Sequence, residues 1–174
     1  MGIGPVLFSG EQIAQRVAEL GSAVRRDYEG RPLAIVAVLH GAVTFVSDLL
    51  THLGPDVTVE FLQASSYGSG TASGGQVTLQ RYGRLGVAGR DVLIVDDIVD
   101  SGHTLAAVRK AVEAMGAASV RTCVLLDKPS RRQVPVAIDF RGFEVPDLFV
   151  VGYGLDHAGR YRDLPYIAAL KGGG

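Results

Sequence analysis

The 174-residue sequence has no tryptophan, a single cysteine, no internal repeat and no block of like charges. Each absence excludes something. One cysteine, Cys123, cannot make a disulfide within the chain, so a disulfide-stapled secreted domain is ruled out and a reducing cytoplasm is the expected setting. Lys and Arg number 17 against 18 Asp and Glu, a net charge of −1, so no bulk positive field is available to hold nucleic acid. No apolar run approaches the roughly 20 residues of a membrane-spanning helix. The opening MGIGPVLF has neither a basic segment nor an apolar stretch long enough for a signal peptide. Val6 also stands where a myristoylation motif wants Ser or Thr. There is no Walker A sequence, and the glycines do not fall at dinucleotide-binding spacing. The expectation is one cytoplasmic domain with a sizeable core and no membrane or nucleic-acid partner, consistent with 47% apolar and 20% charged residues.

What is present is an alternation of strands and helices. Ser9 and Gln12 have capping-box spacing, and Ile13, Val17, Leu20 and Val24 form the helical stripe that follows, ending near Arg26. Leu33 to Leu39 is a continuous apolar run, as in a parallel strand covered on both faces, and His40-Gly41 breaks it. Val43, Val46, Leu49, Leu50 and Leu53 give a second helix before Gly54-Pro55. Val57, Val59 and Phe61 alternate as a strand, and Val77 and Leu79 make a short one. Val92 to Val95 is a core strand, followed by a helix from Thr104 to Met115 that Gly116 closes. Val120 to Leu126, Leu148 to Val151 and Tyr166 to Leu170 complete the strands. The pattern predicts an α/β fold with a twisted, mostly parallel sheet flanked by helices. Ligands of such sheets bind beyond the carboxyl ends of the strands, where His40-Gly41, Asp96–Thr104 and Asp127-Lys128 all fall.

The stretch DVLIVDDIVDSGHTL, residues 91–105, carries the most chemistry. A buried-type strand runs into the adjacent carboxylates Asp96 and Asp97. Ile98 and Val99 follow, then Asp100, Ser101, Gly102, His103 and Thr104 at the mouth of a helix. Free amides, a glycine and two hydroxyls at a helix start hold phosphate well. Carboxylates cannot hold phosphate directly, but they can hold sugar hydroxyls or share a Mg²⁺ with the ligand. A ligand with a phosphate and a vicinal diol suits both halves. Ser101 or Thr104 acting only as a helix cap would use the same residues, and the sequence leaves both readings open.

This stretch resembles the phosphoribosyl pyrophosphate (PRPP) signature of the type I phosphoribosyltransferases. The later elements FEVPD, FVVGYGLD and YRDL resemble the hypoxanthine-guanine branch of that family. The resemblance implies a five-stranded core, about residues 30–135, and a small hood from the N-terminal segment and about 136–170. It implies a Mg²⁺-dependent purine salvage enzyme joining PRPP to hypoxanthine or guanine, assembled as a homodimer or homotetramer.

Residue by residue, the resemblance implies that Asp96 and Asp97 face the ribose hydroxyls and a Mg²⁺ shell. Asp100 to Thr104 would cradle the 5-phosphate, with Asp100 also the general base toward ring N7. His103 lies within that cradle where many relatives carry lysine, and no chemistry of its own is assigned to it. His40 and Gly41 would form the pyrophosphate loop after a cis Leu39–His40 peptide, with His40 where relatives carry a basic residue; Arg162 would join them. The span 65–76, with four glycines and four serines, resembles the family's mobile flap, with Ser66-Tyr67 its matching dipeptide. On the purine side Phe149 would stack on the base, Val150 would meet its edge through the backbone, and Ile98 would pack beside it. Lys128 would donate to the 6-oxygen, and Asp156 would help bind a second Mg²⁺.

Two other readings compete. A PRPP-fold regulator that binds RNA would need a basic, aromatic-bearing face, against which the near-neutral charge argues. A receiver domain would place its acid pair early in the chain, whereas Asp96-Asp97 lies in the middle.

Overall fold

The computed structural model describes residues 2–67, 76–81 and 85–172. The chain runs β1 (Gly2–Phe8), α1 (Gly10–Asp27), β2 (Leu33–Leu39), α2 (Ala42–Leu50), β3 (Val57–Tyr67), β4 (Gln76–Arg81), β5 (Asp91–Val99), α3 (His103–Ala114) and β6 (Ser119–Asp127). A 3₁₀ turn (Pro129–Arg131) then leads to β7 (Phe140–Glu144), β8 (Val150–Val151) and β9 (Ile167–Lys171). The main sheet has the order β4-β3-β2-β5-β6-β7. The five strands from β3 to β7 in that order are mutually parallel, and β4 adds an antiparallel edge.

The uninterrupted apolar runs follow from cover on both faces. Leu33, Ile35, Ala37, Leu93, Val95, Cys123 and Leu125 point to the side that carries α1 and α2, where Ile13, Val17, Phe45 and Leu49 close over them. Ala34, Val36, Val38, Val92, Ile94 and Val124 point to the other side, under Leu105, Val108 and Val112 of α3. Alternate residues of one strand thus belong to different cores, as the period-2 pleat requires. The capping box of α1 forms as the sequence indicates: Gln12 N donates to Ser9 Oγ at 3.2 Å and Ser9 N donates to Gln12 Oε1 at 2.9 Å. At the far end of α3, Gly116 adopts φ +86° and terminates the helix.

A second sheet of three strands, β1-β9-β8, is the hood, and it joins the two ends of the chain. Phe8 stacks on Phe143 with ring centroids 4.1 Å apart, which fixes the hood to the main sheet.

Several boundaries differ from the sequence reading. Residues 140–144, assigned to the hood, form β7 at the edge of the main sheet. The segment FRGFE spaces its phenylalanines by three, so it carries no alternating signal. Its pairing depends on Gly142, where a Cβ would overlap the carbonyl of Leu125. β1 gives no strand signal in the sequence, because its Gly-Ile-Gly-Pro start lacks strand character. Leu148 and Phe149, read as strand, precede β8 and are exposed. Ser65, Ser66 and Tyr67, read as flap, continue β3 and pair with Thr78, Val77 and Gln76 of β4. The remainder of that expected flap before Gln76, residues 68–75, lies outside the described residues.

Candidate active site

The carboxyl ends of β2, β5 and β6 converge on one cleft of about 370 Å³. It brings together His40 and Gly41 from the end of β2 with Asp96, Asp97, Ile98 and Asp100 from the end of β5. Thr104 of α3, Lys128 after β6, and Phe149, Val150, Asp156 and Arg162 from the hood side complete it. The cleft thus has one wall from the main sheet and one from the hood. An adjoining hollow under the start of α3 is lined by Asp96, Asp100, Ser101, Gly102 and Thr104.

The acid pair sits at the floor of the cleft. Asp96 is 5% exposed, and its Oδ1 accepts from Asp97 N at 3.0 Å. Asp97 Oδ1 accepts from Ile98 N at 3.0 Å. Burial, and then the Asp97 charge beside it, push the Asp96 carboxyl well above the usual carboxylate range. Burial also raises Asp97, against the lowering influence of its hydrogen bond with Asp96. Gly41 fits against this pair, since a Cβ there would overlap the Asp97 carboxylate. The Leu39–His40 peptide before it is cis. Gly154 of the hood, at φ +94°, closes on the same loop, and a Cβ there would lie 2.5 Å from the Gly41 carbonyl oxygen.

Gly102 is the N-cap of α3 at φ +92° and, as a glycine, has no side chain with which to cap the helix. Ser101 Oγ receives only a long 3.5 Å contact from His103 N. The loop is braced from behind: Gln133 N and Val134 N donate to Ser101 O at 2.9 and 3.1 Å, and a Cβ on Gly102 would meet Val134 O at 2.8 Å. His103 lines neither the cleft nor the hollow; its Nε2 lies 3.1 Å from Gln133 Oε1.

On the opposite wall Lys128 is buried at 6% exposure, and its backbone N–H donates to Val99 O at 2.9 Å. Phe149 is 40% exposed and meets His157 edge-on at 5.2 Å. Asp156 Oδ1 pairs with Arg162 at 2.8 Å, and Arg162 also donates to Gly154 O at 2.6 Å. Ser66 and Tyr67 lie further along β3 from Ala64, which lines the cleft.

Val38, Ala64 and Leu155 also line the cleft, and nothing in the sequence marks them out. Their apolar character gives no signal beyond that of core residues. Arg131 and Arg132 are supports that sequence reasoning does not find, and Asp127, noted there only for its place at a strand end, is another. Asp127 is 3% exposed and pairs with Arg132 and with Arg141, while Arg132 Nε donates to Asp100 O at 3.1 Å. The basic loop bracketed by Pro129 and Pro135 is the available signal.

No group of three His, Cys, Asp or Glu side chains able to hold a metal occurs among the described residues. No described helix is long and apolar enough to cross a membrane.

A family profile for the phosphoribosyl transferase domain matches residues 7–158. The hypoxanthine-guanine phosphoribosyltransferase of Bacillus subtilis (strain 168) is 47% identical over 170 residues, covering 97% of this chain and 94% of that protein. The bifunctional protein TilS/HprT of Listeria innocua is 46% identical over 169 residues, covering 97% of this chain, which spans only 26% of that protein's length. Among solved structures, a hypoxanthine-guanine phosphoribosyltransferase from Bacillus anthracis, with a HEPES molecule in its active site, superposes with a TM-score of 0.92. It is 41% identical, over 97% of this chain and 99% of that one. With the acid pair, Thr104 of α3 and the hood wall already in one cleft, these matches assign the chain: it belongs to the phosphoribosyl transferase family.

Proposed function

We propose that this protein is a purine salvage enzyme that transfers 5-phosphoribosyl from PRPP to hypoxanthine or guanine, giving IMP or GMP and pyrophosphate. The observation that carries the reading is the single cleft in which Asp96, Asp97, Asp100 and Thr104 face Lys128, Phe149 and Asp156. The backbone amides at the start of α3 take the 5-phosphate. The acid pair takes the ribose hydroxyls, and the His40-Gly41 loop with Arg162 takes the pyrophosphate. Phe149 stacks on the base beside Ile98, and Val150 meets its edge. Lys128 has donors only, so it favours a 6-oxo group over a 6-amino group.

In the reaction the bond from the anomeric carbon to pyrophosphate breaks, a bond to a purine ring nitrogen forms, and a ring proton leaves. Asp100 receives that proton. Holding both substrates in line supplies much of the rate.

The residues fit Mg²⁺. A buried carboxylate, Asp96, and the half-buried Asp97 beside it disfavour one another's charge and form a site that a cation would relieve, and Asp156 would offer a further oxygen near Arg162. With no third acid clustered beside them among the described residues, Asp96 and Asp97 would share the ion with oxygens of PRPP and water. Bound Mg²⁺ neutralises phosphate charge and stabilises the leaving pyrophosphate. Cys123 takes no part: burial pushes its thiol up to about 12. A cytoplasmic location and a homodimer or homotetramer belong to the same reading.

The RNA-binding alternative is not supported, since Lys128 and Phe149 share the cleft with the acid pair rather than forming a separate face. The test is turnover with PRPP, Mg²⁺ and each purine in turn. Nucleotide from hypoxanthine or guanine, and little from adenine, is expected; no nucleotide from any 6-oxopurine overturns the proposal.

A further inference from the structure

Three segments that face the purine side of the cleft meet at one side chain outside it. Arg131 ends the 3₁₀ turn that begins one residue after Lys128, and its backbone N–H donates to Lys128 O at 3.1 Å. Its Nε lies 2.9 Å from Asp100 Oδ1. Its Nη1 lies 3.2 Å from Asp147 Oδ1, two residues before Phe149. Asp100 Oδ1 is itself buried and has no aligned hydrogen bond, so Arg131 meets it as a charge. The neighbouring Arg132 holds the same residue by its carbonyl oxygen. Two consecutive arginines therefore grip Asp100 at both ends, and Arg131 extends the grip to Asp147 on the approach to the hood.

We propose that Arg131 is a positioning residue that ties the Asp100 carboxylate to Asp147, so that seating the purine on Phe149 and presenting the proton acceptor are coupled. The inference rests on the reading of Asp100 as the proton acceptor. Arg131 and Asp147 are half exposed, at 52% and 56% of their side chains, so the bridge contributes little to stability and its effect is on placement.

The experiment compares kcat and KM for hypoxanthine and for PRPP in Arg131→Ala, Arg131→Lys, Asp147→Asn, Arg131→Ala with Asp147→Asn, and Asp100→Asn. Arg131→Ala lowers kcat about five- to tenfold while the KM for PRPP stays within about twofold. Arg131→Lys recovers most of the loss, because a cation still reaches Asp100. Asp147→Asn costs about threefold, and the double variant is no worse than Arg131→Ala, since Asp147 acts through Arg131. Unchanged kcat in Arg131→Ala, or additive losses in the double variant, overturns the proposal. If Asp100→Asn keeps full kcat, the reading of Asp100 fails instead; if it loses kcat while Arg131→Ala does not, only the bridge fails.

Discussion

At the tip of β5, residues 96–104 bring the acid pair, Asp100 and the loop that opens α3 from one continuous stretch, buried at Asp96 and held by backbone N–H bonds to Asp96 and Asp97. The opposite wall collects Lys128, Phe149, Asp156 and Arg162 from separate turns, and Phe149 remains 40% exposed. The first half is closely packed by its neighbours: Gly41 abuts Asp97 and Gly102 abuts Val134. The second is held by side-chain pairs such as Asp156 with Arg162. Close packing tolerates little change of volume, whereas exposed pairs are individually weak. Substitutions in the first half are therefore expected to abolish turnover, and those in the second to alter affinity and choice of base.

The largest effect is expected at Gly41. Gly41→Ala drives a methyl group into the Asp97 carboxylate and lowers kcat about a hundredfold, measured by initial rates at saturating PRPP. A near-normal rate would show that the floor of the cleft yields more readily than its packing implies. Lys128→Met comes next. It removes a buried lysine from the wall opposite the acid pair and is expected to reduce kcat/KM for hypoxanthine about thirtyfold, with a smaller loss for adenine, so the ratio of the two reports selectivity. Equal losses for both bases would remove Lys128 from base recognition. Phe149→Ala raises the KM for the base about tenfold and leaves the melting temperature nearly unchanged, because the ring is 40% exposed. A large fall in melting temperature with an unchanged KM would make Phe149 a packing residue instead.

The smallest effect concerns the ligand-free fold. Asp96 has a folded pKa above its unfolded value, so the folded state binds more protons between the two. Its cost is absent below the unfolded pKa and grows as pH rises toward the folded one. Asp96→Asn should raise the melting temperature at neutral pH, and the gain should vanish in acid. A destabilised variant at neutral pH would mean that the buried charge is compensated.

The same contrast separates what is legible in the sequence from what is not. Residues 91–105 are legible because strand, acids, loop and helix are adjacent, and local spacing encodes their geometry. The parallel sheet and its cover on both faces follow from continuous apolar runs, whereas the order of the strands does not. Lys128 is flagged by its place just after a strand, but its role, like Phe149 and Asp156 themselves, is reachable only through family resemblance, since alone each is a common surface or core residue. β7 escapes because Phe140 and Phe143 do not alternate, and its pairing needs the bare backbone of Gly142. Arg131 escapes because its partners Asp100 and Asp147 lie far from it along the chain, on either side, a relation that no short motif records.

A crystal structure with PRPP, Mg²⁺ and an unreactive purine analogue tests the central claim most directly. The expected complex has the 5-phosphate on the amides of residues 101–104, the ribose hydroxyls at Asp96 and Asp97, and the base between Phe149 and Lys128. A ribose turned away from the acid pair, or a phosphate bound elsewhere than the start of α3, would contradict it.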